Sequence, residues 1–291
     1  MFIDKPTVPV QLEVVLDLLY AIRQKSATAE SVRALLQPQG LPGLTNKSNQ
    51  AHLHLNAAKE LGLVAEEDEG NLRLNYAVRN DRPTPREAIL DAFDRVALGS
   101  PDVEPWFGRL YSYVIMQLND CVPTGEPVRV QLASDFNAGL ADHIEKRNPL
   151  NSTKLTHYLR WYVYVGLGWF DPMGRFIPDP TERLRRALPN IFSDQRRLDA
   201  APFMSALAVA CPELDGGSLF MDMSSGRYDF AARSCSRALA VGLRNLHEDG
   251  VIRLECPKDS MGWGLERGGS VRVPGLLDSD RFDRVSLLQR N

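Results

Sequence analysis

Apolar positions along this chain fall mostly at helical spacing, and the helices they predict repeatedly stop at a glycine followed by two short apolar runs. Residues 9–23 put Leu12, Val15, Leu18, Leu19 and Ile22 on one stripe. Thr28 has the side chain to cap a second helix, with Glu30 in its first turn and Val32, Leu35 and Leu36 inside. Pro38 to Gly43 ends it. A third helix starts between Asn46 and Asn49, faces inward through Ala51, Leu55 and Ala58, and stops at Gly62. Leu63-Val64 and Leu72-Arg73-Leu74 then predict a hairpin around the acidic turn Glu66-Glu67-Asp68-Glu69-Gly70.

Beyond the polar segment 79–83, Thr84-Pro85-Arg86-Glu87 reads as a capping box with proline at the first helical position. The helix it opens carries Ile89, Leu90, Phe93 and Val96. A second, aromatic helix follows with Trp106, Phe107, Leu110, Tyr113, Val114 and Leu118. Val128 to Leu132 predicts a short strand, and Ser134 or Asp135 the cap of a helix holding Phe136, Leu140 and Ile144. The opening pattern then returns. Asn151-Ser-Thr starts a helix to about Val165, Gly168 leads into Trp169-Phe170, Asp171 to Gly174 turns, and Arg175-Phe-Ile177 returns. Asp179-Pro-Thr-Glu182 reads as another capping box, for a helix to Leu188.

The last third predicts a helix around Phe203, Leu207 and Ala210, a loop from Pro212 to Gly226, and a helix from Ser234 to His247. Gly250 follows, then a strand at 251–254, a turn at 257–262 and a return strand at Trp263-Gly-Leu265. Counted back from Gly62, Gly168 and Gly250, position −7 holds Leu55, Trp161 and Leu243, and position −4 holds Ala58, Tyr164 and Leu246. The glycines are too far apart for a solenoid, so the unit is domain-sized. The fold class predicted is mainly α with small β-hairpins, in tandem winged-helix-like modules. The expected domains are a module at 1–80, a helical segment with a second module at 81–200, and a third module at 201–291.

A net charge of −3 excludes a chain that grips nucleic acid over its whole surface, so any such contact must be local. No apolar run is long enough for a membrane span. The start lacks the basic and apolar regions of a secretory signal, and four scattered cysteines fit reduced thiols, so the expected location is cytoplasmic.

A helix that enters a major groove meets base edges with polar side chains near its N-terminus. In the first module those are Lys47, Asn49 and Gln50, with Asn46, Ser48, His52 and Lys59 beside them. The acidic turn argues against a phosphate contact there. The second module offers Arg175, Arg183, Arg185, Arg186, Arg196 and Arg197, with Arg183 and Arg186 one turn apart on a helix. Trp161, Tyr162 and Tyr164 are either stacking platforms or core. The third offers Arg233 and Arg237, with Ser236 and Arg244. A solvated face or an acidic protein partner remains the alternative for all of these arginines.

No catalytic motif stands out. His52 and His54 point apart on a helix, so no shared metal is expected, and no cofactor loop is present. Asp102, Glu104, Asp120 and Glu145 are the acids from which a divergent nuclease site would be built. Three helices and a hairpin within the first module resemble the winged-helix superfamily. The length and triple arrangement are similar to the family of DpdG, the G component of the bacterial 7-deazaguanine-in-DNA modification system. Tandem winged-helix subunits that clasp the kleisin of SMC complexes are a second likeness. These resemblances imply a non-enzymatic interaction subunit of a DNA-processing, DNA-modification or defence assembly. Its partners would be protein subunits of a larger complex and, locally, double-stranded DNA. A sequence-specific transcriptional regulator and a divergent nuclease are the alternatives.

Overall fold

The computed structural model describes residues 7–22, 27–38, 50–75, 84–96, 98, 106–117, 121–123, 125–140, 149–224, 232–257, 260–265 and 280–288. Contacts divide the chain into two compact units, Met1–Glu104 with Thr153–Trp161 and Pro105–Ser152 with Tyr162–Asn291. The architecture is mainly α with small strand pairs.

The first unit opens with α1 (Pro9–Ile22), α2 (Ala29–Leu36) and α3 (Gln50–Glu60). Leu12, Val15, Leu16 and Leu19 of α1 are buried, so Leu16 joins the stripe that the spacing predicts while Leu18 and Ile22 are only half-buried. Thr28 caps α2 reciprocally with Ser31: its hydroxyl accepts from the Ser31 N–H at 3.2 Å, and Ser31 Oγ accepts from the Thr28 N–H at 2.9 Å. Strands β1 (Val64–Glu66) and β2 (Leu72–Leu74) pair antiparallel across the acidic turn. Two of the turn's acids meet cations of the same unit, Glu66 with Lys59 and Glu67 with Arg73. Helix α4 (Pro85–Val96) starts at the expected box, the Thr84 N–H donating to Glu87 at 2.6 Å and the Glu87 N–H to the Thr84 hydroxyl at 3.2 Å. The 79–83 segment, the start of the third helix and Leu118 lie outside the described residues.

The second unit begins with α5 (Phe107–Gln117) and α6 (Glu126–Gly139). Residues 128–132 are therefore helical, not a strand. Val128 and Val130 are exposed, so their β-branched preference is not reinforced by packing, while extended Gly125 and Pro127 supply a helix start. Ser134 and Asp135 lie inside this helix and cap nothing. Helix α7 (Ser152–Val165) contributes its middle to the first unit, where Trp161 stacks on Phe93 at 4.9 Å. Strands β3 (Gly168–Phe170) and β4 (Phe176–Pro178) pair antiparallel. Helix α8 (Thr181–Ile191) lacks the expected box, because Asp179 spends one carboxylate oxygen on the Thr181 N–H at 3.0 Å and the other on Asn245.

Strand β5 (Arg197–Asp199) runs into α9 (Ala200–Ala210). The expected loop after it contains α10 (Ser218–Ser224), whose Leu219 and Phe220 are buried on the side of α5. Strand β6 (Ser234–Cys235) precedes α11 (Arg237–Glu248), which Ser236 caps. Then come β7 (Ile252–Glu255), β8 (Trp263–Leu265), β9 (Arg281–Phe282) and β10 (Arg284–Leu287). The last hairpin differs from expectation: β7 pairs with β10, not with Trp263–Leu265. Strand β8 instead joins β6 and β9 in a separate sheet.

With that correction a threefold repeat becomes visible. In each copy a short extended piece pairs onto the return strand. These are the Thr28↔Asn71 and Val122↔Phe176 bridges and the β5–β10 ladder. The copies occupy α1 to β2, α5 to β4 and α8 to β10. Each central helix ends in a left-handed glycine, Gly62, Gly166 or Gly250, with φ of 68°, 76° and 66°. The second cap is thus Gly166, two residues before the glycine that the sequence pattern suggests. Gly168 is excluded because it opens β3 against Phe176. In all three copies the glycine N–H bonds back three residues. The next N–H bonds five residues back, Leu63 to Ala58 (2.9 Å), Leu167 to Tyr162 (2.8 Å) and Val251 to Leu246 (3.0 Å). This is the paired-bond helix stop that needs positive φ. Counted from these glycines, position −7 is Leu55, Leu159 and Leu243, all buried.

Alanine at these glycines is expected to destabilise the chain by about 1–2 kcal/mol at Gly62 and Gly250, where a Cβ meets nothing within 4 Å and only the left-handed backbone opposes it. Gly166→Ala is expected to cost more, since its Cβ would lie 2.6 Å from Glu182 Cβ. Urea denaturation of the three variants checks the order. A second expectation concerns His54, buried at 2% exposure, which accepts from the Val8 N–H through Nε2 and donates through Nδ1 to the Gln50 carbonyl. Burial lowers its pKa below the ordinary 6.5, opposed by the Gln50 bond, and His157 shifts the same way through burial and then Arg160. The unfolded chain therefore binds these protons more readily. Their contribution is complete above pH 6.5 and is lost as pH falls below it. Denaturant midpoints should drop between pH ~7.5 and ~5.5, with a smaller drop in His54→Leu.

Candidate nucleic-acid interface

Of the arginines singled out by the sequence, Arg183 is buried and Arg175, Arg185 and Arg186 are tied to partners within the fold. Arg183 is 3% exposed: its Nε donates to Glu213 Oε1 at 3.0 Å and its terminal nitrogen to the Ala210 carbonyl at 2.7 Å. Glu213 is fully buried, and its own carbonyl accepts from Ser112 Oγ at 2.9 Å. Arg185 bridges Glu182 and Asp249 at 3.2 and 2.6 Å. Arg186 donates to the Val165 carbonyl at 2.8 Å, satisfying the end of α7. The pair Arg183 and Arg186 therefore does not form a solvent face for phosphate. Arg175 is tied to Asp171 at 2.6 Å within the β3–β4 turn. Arg233 is exposed in a left-handed conformation, and its carbonyl accepts from the Gly264 N–H at 2.7 Å. Arg237 is half-buried at the start of α11. Lys47 and Asn49 lie outside the described residues, as do Asp102, Glu104, Asp120 and Glu145.

The central helices also differ in access. Helix α11 buries Ala238, Leu239, Ala240, Gly242, Leu243 and Leu246, and Arg244 is occupied with the Leu265 carbonyl and Asp280. Gly242 lets it approach α8 closely, since a Cβ there would meet Leu184 at 2.7 Å. In α7, Trp161 and Tyr162 are fully buried, and Tyr162 OH donates to the Phe107 carbonyl at 2.8 Å. These aromatics are core and offer no stacking surface. Helix α3 exposes His52 and Glu60, with Gln50, Asn56 and Lys59 half-buried. Asn56 is bonded to His52 at 3.0 Å, and Lys59 to Glu66.

Among the described residues, the outer face of the β5–β10–β7 sheet gathers several arginines in the open. Its register alternates strictly. Leu198, Val285 and Leu254 form an inward row over α9 and α11. Arg197, Ser286 and Arg253 form one outward row, and Asp199, Arg284 and Glu255 the next. Arg197 pairs with Glu255 and Arg284 with Asp199, each at 3.1 Å. Arg253 and Arg196 are exposed and make no ion pair among the described residues. An open depression of about 410 Å³ borders this face. The sequence pattern singles out Arg196 and Arg197 but gives no sign of Arg253 or Arg284. Placing those needs the 85-residue pairing of Asp199 with Arg284, which leaves no local signal.

Elsewhere the second unit holds buried acids. Asp215 is fully buried and accepts from the Ser236 hydroxyl at 2.6 Å. Burial pushes the Tyr111 phenol well up, helped by Asp179, Glu213 and Asp215, and the Cys235 thiol likewise, helped by Asp215. Among the described residues no group of three His, Cys, Asp or Glu side chains is placed to hold a metal ion. No helix there is long and apolar enough to cross a membrane.

A family model of DpdG-like proteins matches residues 3–260. The chain belongs to the DpdG-like family. The matched region of this DpdG-like chain runs from α1 through β7 and stops before β8, β9 and β10. Neither the curated proteins nor the solved structures give a match.

Removing one partner of a buried ion pair leaves a charge without compensation. Arg183→Ala is therefore expected to destabilise by about 3–5 kcal/mol. The double change Arg183→Met with Glu213→Leu is expected to recover most of that loss. A double change as damaging as the single one would show that Arg183 is not primarily the counter-charge of Glu213.

Proposed function

We propose that this chain is a non-enzymatic, winged-helix interaction subunit of a DNA-modification assembly. Within it, the outer face of the β5–β10–β7 sheet meets the DNA backbone. Membership of the DpdG-like family supports the setting. The strand order supports the fold reading: in each copy an extended piece after the first helix pairs onto the return strand, which pairs onto the strand after the glycine-capped central helix. The observation that carries the DNA contact is the outward row Arg197–Ser286–Arg253, with Arg284 in the next row between Asp199 and Glu255. Planar guanidinium groups suit phosphate oxygens, and backbone contacts fix position without reading sequence.

The buried faces of α7 and α11 disfavour the regulator reading, because a groove-reading helix must present its polar face to base edges. A different surface suits a protein subunit. The β3–β4 hairpin exposes Trp169 at 47% on its strand and Met173 at 72% in its turn, where Asp171 pairs with the cation Arg175.

The test is fluorescence anisotropy with duplex DNA as salt rises from ~50 to ~200 mM. Each lost phosphate contact lowers the slope of log K against log salt by about 1, so Arg197→Ala with Arg253→Ala should lower it by about 2. The hairpin change Trp169→Ser should leave the slope alone. No binding at ~50 mM, or a slope untouched by the arginine changes, would sink the phosphate contact.

A further inference from the structure

We propose that a second copy of this chain docks on the open edge of β5, joining the two β5–β10–β7 sheets into one across a two-fold axis. The edge strand itself gives the first argument. The Leu287 N–H donates to the Arg196 carbonyl at 2.8 Å and the Ala200 N–H to the Asp283 carbonyl at 2.7 Å. Because strand hydrogen bonds alternate in direction, Arg196, Leu198 and Ala200 turn their backbone groups toward β10. Arg197 and Asp199 turn theirs the other way. Among the described residues no strand pairs with that side of β5. An unpaired edge of this kind is a template for another strand.

The side chains select the occupant and its register. If two β5 strands pair antiparallel, Arg197 and Asp199 must supply the exchanged backbone bonds. Centring the axis on Arg197 or on Asp199 sets like charges opposite each other. Centring it on Leu198 sets Arg197 opposite Asp199 of the second copy, twice, with each Asp199 N–H donating to the facing Arg197 carbonyl. Opposite charges directly across a ladder stabilise it and like charges destabilise it. The edge is thus complementary to itself in one register, as a two-fold interface requires.

An independent observation lies beneath the same edge. Helix α9 packs under β5 and β10 through Phe203, Met204 and Leu207. None of its residues is charged, and its solvent side shows Ala201, Pro202, Ser205 and Val209, the last 84% exposed. A helix without a polar face is normally covered. Extending the sheet through β5 brings the second α9 alongside the first, and the small residues Ala201 and Ser205 permit close approach. The depression beside Pro202, Leu198 and Asp199 lies at this junction.

Sedimentation of the full chain without DNA tests this independently of the phosphate contact. Wild-type chain should dimerise within roughly 1 to 100 µM, as suits an interface of modest size. Asp199 already has φ of −68°, so Asp199→Pro fits the backbone and removes one outward N–H, leaving the bonds to β10 intact. It should abolish the dimer with unchanged circular dichroism. Arg197→Asp and Asp199→Arg should each weaken self-association about tenfold or more. Mixed together they should form a heterodimer, because opposite charges face again at both positions. A monomeric wild type, a dimer that survives Asp199→Pro, or no rescue on mixing overturns the proposal.

Discussion

One residue in each repeat holds helix and hairpin together: Leu63, Leu167 and Val251, each directly after the central helix has stopped. Its N–H bonds back into the helix at position −4 from the capping glycine. Its carbonyl accepts from the chain as the return strand leaves, from Asn75 at 2.8 Å, Asp179 at 3.0 Å and Leu288 at 2.9 Å. The side chain between those two bonds is buried in every case. Such a clamp is reachable only if the residue before it turns left-handed, which is why glycine stands there and why its strain-free φ matters more than its size. The geometry of the hairpin relative to its helix follows from this stop and is independent of what the outer side chains are.

That independence explains how one skeleton carries three unlike surfaces. The first hairpin has an acidic turn partly answered by Lys59 and Arg73. The second exposes Trp169 on its strand and Met173 in its turn, and the third carries a sheet of arginines and acids in alternating rows. Because the repeat is held by backbone bonds and buried apolar positions, the exposed residues are free to diverge without cost to the fold. The central helices diverge as well: α3 keeps polar residues in the open, whereas α11 packs against α8 and β7 and ties Arg244 to the Leu265 carbonyl.

What the sequence makes legible follows from how local each signal is. The cap at Thr28, the capping box at Thr84, the α1 stripe, α7 and the first two hairpins all rest on residues within a few positions of each other. The failures are non-local. Trp263–Leu265 has the composition of a return strand, yet it pairs with β6 and β9, and the real return strand begins some twenty residues later at Arg284. Val128 and Val130 look like strand because β-branched residues favour strands, but a strand needs a neighbour to pair with, and Pro127 starts a helix first. The arginines of α8 look like a basic face because their partners Glu213 and Asp249 lie 30 and 64 residues downstream.

The same non-locality bears on how charge should be read in this protein. Counting arginines along the chain points to residues 175–197 as the basic region, but α8 consumes its share in structural pairs. The cations left facing solvent come instead from three strands that meet only in the folded sheet. There, side chains use the face while Arg197 and Asp199 turn their backbone groups to the edge. The backbone bonds of strand pairing and the face cations therefore use different atoms, while the Arg197 guanidinium lies at the junction of the two. A sheet built this way can meet a backbone on its face and a protein along its edge at once, which suits a subunit that connects DNA to an assembly better than one that reads base sequence with a helix.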